Sequence, residues 1–443
     1  MTSMAGGQLS STGVCTLHEV WDTDRTRCSK AIPIIYHHAV IDSLLSLLSA
    51  ATETTLVPRT IDPCIITSRS AMSKIPTVDG IPVPNFNLTG TPTQTPQPTE
   101  EDRKPLETAE DAVGSPPSRT WLKISANWWR SLQYIGMSLH FLANPKPPSP
   151  AFTHTIPSTI SKKKGNFTLH FYTPEGYDKR KKTKQLFPAV VNFHGGGFTI
   201  GAPTDDARFA RFVLEQCKAV YISVEYRLSP EYPFPVAVED GADALLYLIR
   251  NGPDLYIDPR KLATSGFSAG GNIAITSTIC LSEHLKTLSE PLPPYNIRAI
   301  ATWYPICDYT ESREVKRARC VRPDQTLPAN LTSLFDASYL YPSQLSLSSP
   351  ILSPTKATDE QLAEAIPQTV IFYTCEWDML QYEGEELARR LGRPPINKNV
   401  KHKMIPGVPH AWDKSPDPTK PAAGSEELYK ECCVHLNEAF GKQ

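Results

Sequence analysis

The chain has 443 residues, enough for one large domain or two ordinary ones. Its 45 basic and 46 acidic residues leave a formal net charge of -1, so there is no overall basic field and nucleic acid is not an expected partner. Ten cysteines, none in a Cys-x-x-Cys pair and two adjacent at Cys432-Cys433, read as reduced, buried residues rather than as a metal site or a disulfide framework.

Residues 1–15 lack the charged start and apolar core of a secretion signal. The longest apolar segment near the start, 39–48, is too short to span a bilayer and carries Asp42. The expected location is therefore cytoplasmic. Residues 1–118 differ from the rest of the chain. Nine prolines fall between Ile75 and Ser118, together with the run Glu100-Glu101-Asp102. Such a stretch cannot bury enough apolar surface to offset chain entropy. It is expected to be a low-complexity, mostly disordered extension, with a short helix around 30–50 and with His37-His38 as surface histidines.

A folded domain is expected over 119–443. Trp121, Ile124, Trp128, Leu132, Ile135 and Leu139 recur at three- and four-residue steps, which predicts one apolar helix face between Trp121 and Leu142. Lys123 and Arg130 interrupt it, so a transmembrane span is not expected. The helix should pack on the domain or act as a lid; peripheral lipid contact is the alternative. Phe167, Leu169 and Phe171 alternate as in a half-buried strand, and the basic run Lys179 to Lys184 reads as a solvated hairpin loop. Further strands are predicted at 187–193, 219–224, 261–264, 297–303, 368–374 and 400–405. Helices are predicted at 205–216, 235–251, after 272, 384–391 and 426–440. Strands alternating with helices predict an α/β architecture with a mostly parallel, doubly wound sheet. Residues 308–365 break that rhythm and read as an insertion. With about 119–150 they form the expected helical cap.

Gly266-Phe267-Ser268-Ala269-Gly270 lies between a predicted strand and a predicted helix. A serine between two glycines at such a turn is the arrangement that exposes a nucleophilic hydroxyl. A serine hydroxyl needs a base, and the base needs an orienting acid. Of the histidines after it, His284 and His435 fall in predicted helices and His402 inside the last strand. His410 lies in a loop after that strand and can reach back, so it is the candidate base. The acid should follow the strand 368–374, where Asp378, Glu376 and Glu383 compete. Glu376 is not excluded by spacing alone. Gly195-Gly196-Gly197 has no Gly-Lys-Ser/Thr continuation, so it reads as an oxyanion hole rather than a phosphate cradle. Side chains would block backbone N–H groups from converging on a developing O⁻. Ala269, next after the serine, should supply another donor.

His194-Gly195-Gly196-Gly197, Tyr226-Arg227-Leu228-Ser229-Pro230-Glu231, Glu239-Asp240-Gly241, Gly266 to Asn272, and Asp378 to Gly384 before His410 occur in this order. Over roughly 155–441 the chain resembles the hormone-sensitive lipase-like family of α/β hydrolases, which includes arylacetamide deacetylase-like enzymes. The resemblance implies an α/β-hydrolase fold, with Ser268 as nucleophile, Asp378 as acid and His410 as base. It implies Gly196, Gly197 and Ala269 as oxyanion donors and His194 with Gly195 as the oxyanion loop. It implies no metal or organic cofactor. It settles the acid as Asp378. The chain departs from the family pattern at Phe267, where aspartate is usual, at Glu225 before Tyr226, and at Ala411-Trp412 after the histidine. The expected function is hydrolysis of small or medium apolar carboxylic esters, a small-molecule ester substrate being the partner. The alternatives are a lactone, amide or thioester hydrolase, or a non-catalytic binding protein on the same fold.

Overall fold

Eight strands form one sheet: β1 (Phe152–Pro157), β2 (Asn166–Tyr172), β3 (Phe187–Phe193), β4 (Val220–Glu225), β5 (Ile257–Phe267), β6 (Ile297–Trp303), β7 (Thr369–Trp377) and β8 (Asn399–Pro409). The computed structural model describes Thr99 and residues 103–180 and 185–441. The expectations for residues 1–98, including the helix at 30–50 and His37-His38, lie outside the described residues, as do Glu100-Glu101-Asp102 and the tip of the basic run, 181–184.

The strand order is β1-β2-β4-β3-β5-β6-β7-β8. β1 and β2, and β2 and β4, pair antiparallel; every pair from β4 to β8 is parallel. The predicted doubly wound sheet is thus present. The continuous apolar run of β3 follows from its place: covered on both faces, it is buried at every position. β1 was absent from the predicted elements. It is an edge strand with Ile156 as its one buried residue and Pro157 at its end, so it lacks an alternating apolar signal.

The last part of the expected extension, 103–118, is among the described residues. Helix α1 (Ala109–Val113) carries a capping box between Thr108 and Asp111. Thr108 bridges Ser346, and Leu106 donates its N–H to the Thr310 carbonyl at 2.7 Å. Backbone hydrogen bonds therefore order this segment despite its poor apolar content.

Helix α2 (Arg119–Leu142) begins at the Ser118 cap, whose hydroxyl accepts from Trp121 N–H. Its orientation reverses the expectation. The predicted docking face is the open one: Trp121 is 56% exposed, Ile124 57% and Trp128 49%. The buried face is Leu122, Ala126, Met137 and His140. Polar anchors decide the matter. Arg119 donates to the Ala337 and Ser338 carbonyls. Arg130 donates to the Thr199 and Ser229 carbonyls at 2.9 and 2.8 Å and pairs with Glu231 at 3.0 Å.

At the other end of α2, Arg208 Nε donates to His140 Nε2 at 3.0 Å, and His140 Nδ1–H meets the Ser415 carbonyl at 2.9 Å. Burial, foremost, lowers the His140 pKa from its ordinary 6.5 to about 4; Lys414 and Arg208 add to this and the Ser415 carbonyl opposes it. The unfolded chain takes up a proton below pH 6.5 that the folded chain refuses until about pH 4. The stability this site contributes is full above pH 6.5 and fades as the pH falls toward 4. His140→Gln keeps an acceptor for Arg208 and does not titrate. Its urea midpoint is expected to fall less steeply than wild type between those pH values; parallel slopes would contradict the assignment.

Helices α3 (Ala207–Phe212, continuing into a π turn), α4 (Val236–Asn251), α5 (Ala269–Leu285), α6 (Arg313–Arg319), α7 (Ala329–Tyr339), α8 (Asp359–Ala365), α9 (Gln381–Leu391) and α10 (Ser425–Phe440) complete the layers. The main apolar core runs between the sheet and α4 and α5; a second lies between the sheet and α3 and α10. The insertion expected at 308–365 contributes α6, α7 and α8. A small cluster of Leu122, Leu334 and Ala337 joins α2 to α7. All seven cysteines among the described residues are buried, and no helix among those residues is long and apolar enough to cross a membrane.

Candidate active site

Each predicted site residue lies at the carboxyl end of a strand: His194 after β3, Ser268 after β5, Asp378 after β7 and His410 after β8. Ligands in open α/β sheets bind along this edge. The elbow explains its own composition. Ser268 sits at φ 55°, ψ -118°, a positive φ for a residue with a side chain. The turn closes because its neighbours lack Cβ atoms. A Cβ at Gly266 would lie 2.0 Å from the Gly270 carbonyl oxygen, and one at Gly270 would lie 1.9 Å from the Phe193 carbonyl oxygen. Crowding fixes these two glycines, while the strained φ belongs to the serine between them.

The structure brings the three sequence candidates together. His410 Nε2 is 2.8 Å from Ser268 Oγ, and His410 Nδ1 is 2.6 Å from Asp378 Oδ2. Asp378 is buried, and its other oxygen accepts Leu380 N–H at 3.0 Å. With Asp378 accepting at Nδ1, the tautomer that leaves Nε2 free to take the serine proton is favoured. The rivals have other work. Glu376 accepts Gly407 N–H at 2.7 Å and so braces the turn before His410. Glu383 is buried, accepts Cys307 N–H at 2.7 Å and pairs with Lys316 of α6. Burial raises its pKa, against the pull of Lys316.

Gly195, Gly196 and Gly197 line the same pocket as Ser268 and His410. Gly197, at φ +58°, has the Phe335 ring where a Cβ would stand, 2.2 Å away. His194 is buried under the loop. Its Nδ1 donates to the Gly195 carbonyl at 2.8 Å, and its ring stacks on Tyr226 with centroids 4.3 Å apart. Burial, foremost, lowers its pKa, which keeps it a neutral donor. Ala269 is the first residue of α5, so its N–H has no partner within that helix.

Three neighbours were not read from the sequence. Tyr304 follows β6 and sets its ring edge-on to His410 at 4.7 Å; its hydroxyl donates to Asp413 at 2.5 Å. The strand-end rule that found the other residues also marks this position. Asp413 accepts a second phenol from Tyr429 at 2.5 Å. Lys414 bridges Asp206 at 2.8 Å and Asp413 at 3.0 Å. Burial alone would lower its pKa, but the two carboxylates more than offset this and raise it. The Lys414 ammonium stands 3.7 Å from the centroid of the Phe267 ring. The departure at Phe267 is thus filled by an aromatic face under a partly buried cation. That ring also stacks on Trp303, with centroids 5.4 Å apart.

The pocket has a volume of about 270 Å³. Met137 of α2 and Leu331 and Phe335 of α7 supply apolar wall opposite the elbow. Asp205 adds a carboxyl that accepts from Gln133 Nε2 at 2.6 Å; burial, then the Asp206 charge, push it up to about 7. Among the described residues there is no cluster of three or more His, Cys, Asp or Glu able to hold a metal.

A serine, a carboxylate and a histidine in this chain order, at the carboxyl edge of a doubly wound sheet, define the hydrolase class of α/β proteins. A model of a family described as alpha/beta hydrolase fold matches residues 190–414. In sequence the chain is similar to an AB hydrolase superfamily protein of Schizosaccharomyces pombe (30% identical over 257 residues, 58% of this chain and 71% of that protein). It is also similar to an arylesterase of Saccharolobus solfataricus (33% over 232 residues, 51% and 69%) and to arylacetamide deacetylase of Bos taurus (28% over 289 residues, 53% and 70%). In structure it is similar to a hyperthermophilic esterase from Pyrobaculum calidifontis, with TM-score 0.58 and 26% identity over 73% of this chain and 99% of that one. The chain belongs to the α/β-hydrolase fold family and, within it, to the hormone-sensitive lipase-like carboxylesterases.

Proposed function

We propose that this carboxylic ester hydrolase cleaves esters with small or medium apolar acyl groups through an acyl-enzyme on Ser268. The observation that carries the reading is the unbroken chain from Ser268 Oγ to His410 at 2.8 Å and on to Asp378 at 2.6 Å. His410 Nε2 takes the serine proton as Oγ attacks the carbonyl carbon. The oxyanion that forms is held by the N–H groups of Gly196, Gly197 and Ala269; removing one such donor elsewhere costs about 3–4 kcal/mol. The imidazolium, stabilised by Asp378, gives its proton to the leaving alkoxide. Water then repeats the cycle and frees the acid. The names of the similar proteins, arylesterase and esterase, support an ester as substrate, as does the apolar wall of Met137, Leu331 and Phe335. α2 and the 308–365 insertion act as the cap of the hydrolase domain in this reading.

A fluorophosphonate probe tests it. The expected product is one phosphonyl adduct, on the peptide carrying Ser268, formed in step with loss of p-nitrophenyl butyrate hydrolysis. Full inhibition with the adduct elsewhere, or hydrolysis persisting in fully labelled protein, would overturn the reading.

A further inference from the structure

The pocket at Ser268 is not the only cavity bordering α2. A second one, of about 610 Å³, lies on the far side of Gln133, Met137 and Asp205, which line both. The catalytic pocket alone, at about 270 Å³, falls just below the ~300–1,000 Å³ usual for small-molecule sites, whereas the two joined fall well inside it. The second chamber is walled by Phe141 of α2, by Pro147, Pro148 and Pro150, and by Ala202 and Ala207. Two of its charged groups are already engaged. Arg130 is held by Glu231 and two carbonyls, and Asp205 by Gln133 Nε2 and Ala202 N–H. Lys146, the third charged group of the lining, is exposed to solvent, and Ser138, Ser149 and Thr204 add hydroxyls; the rest of the wall is mainly aliphatic, aromatic and proline surface.

We infer that this chamber receives one extended apolar arm of the ester substrate, threaded from Ser268 past Met137. The inference rests on the reading of Ser268 as nucleophile and adds the substrate class: esters with one arm longer than the catalytic pocket holds. Met137 is the movable part of the shared wall. It is unbranched, turns about three side-chain bonds and re-packs readily. Beside it, the Gln133–Asp205 hydrogen bond fixes the wall's polar edge at 2.6 Å. The proline-rich floor is rigid, so occupancy costs little ordering of the backbone. Each methylene buried there is worth roughly fourfold in kcat/KM.

The test compares ratios within each protein. Wild type, Ala202→Phe and Phe141→Ala are assayed on p-nitrophenyl esters from acetate to dodecanoate and on acetates of ethanol to dodecanol. Ala202→Phe fills the chamber, and its decanoate-to-acetate ratio of kcat/KM is expected to fall at least tenfold. Phe141→Ala enlarges it and should shift the optimum toward longer chains. A change in the acyl series identifies the arm as the acyl chain, and a change in the alcohol series identifies it as the alcohol. If neither ratio moves in either variant, the inference fails. Failure of the Ser268 assignment is distinct, because that leaves the short esters uncoupled from phosphonylation of Ser268.

Discussion

Ser268→Ala is expected to lower kcat for p-nitrophenyl acetate by on the order of 10⁴–10⁶, with the thermal midpoint within a few degrees of wild type. Alanine differs from serine only by the hydroxyl, and it adopts the φ of 55° at this turn no less readily than serine does. The fold therefore has no reason to move. What disappears is the atom that attacks and the bond His410 Nε2 makes at 2.8 Å. The residual rate comes from the oxyanion donors acting on water. A variant retaining more than a tenth of wild-type kcat would exclude Ser268 as the nucleophile.

The second large effect concerns the acid. Asp378→Asn is nearly isosteric in a buried site, but its amide presents N–H to His410 where the carboxylate presented oxygen. The imidazole must then carry its lone pair on Nδ1 and its proton on Nε2, facing Ser268 Oγ. A base becomes a donor, and kcat at pH 7 is expected to fall about 10⁴-fold. Glu376→Gln is the control. The carbonyl oxygen of glutamine still accepts Gly407 N–H, so the loss should stay below tenfold. Equal losses in the two variants would transfer the acid's role to Glu376 or spread it over both.

The site could be read from residues because its parts obey rules that short stretches of sequence reveal. Ser268, Asp378 and His410 each end a strand, and their chain order is that of the family. Spacing alone did not separate Asp378 from Glu376. That distinction needed the resemblance, and in the structure it lies in which carboxylate points at Nδ1. The inward face of α2 was illegible for a different reason. Periodicity says that Trp121, Ile124 and Trp128 share a face, but Arg119, Arg130, Gln133 and His140 decide which face docks. Their partners are carbonyls and side chains 65 or more residues away in sequence. β1 and the helices of 308–365 escaped because they are short. Caps such as Ser312 and Thr358 mark the helices, but no long apolar stripe does. Lys414 and Asp413 are ordinary surface residue types in the sequence, and only their convergence with Asp206, Tyr304 and Tyr429 buries Asp413 and draws Lys414 partly inside.

The distribution of the site along the sheet has a consequence for how the protein becomes active. Ser268 and His410 are 142 residues apart, and Asp378 lies between them, 32 residues before His410. Their meeting requires β5, β6, β7 and β8 to be paired in register. Parallel pairing of this kind closes long loops before it gains contacts, and it is slow. A chain with only β2, β3 and β4 assembled would contain Gly196, Gly197 and His194 but not Ser268 beside His410. On the proposed reading of Ser268, hydrolysis requires the carboxyl-terminal half of the sheet to be closed, so turnover would count finished molecules rather than collapsed ones.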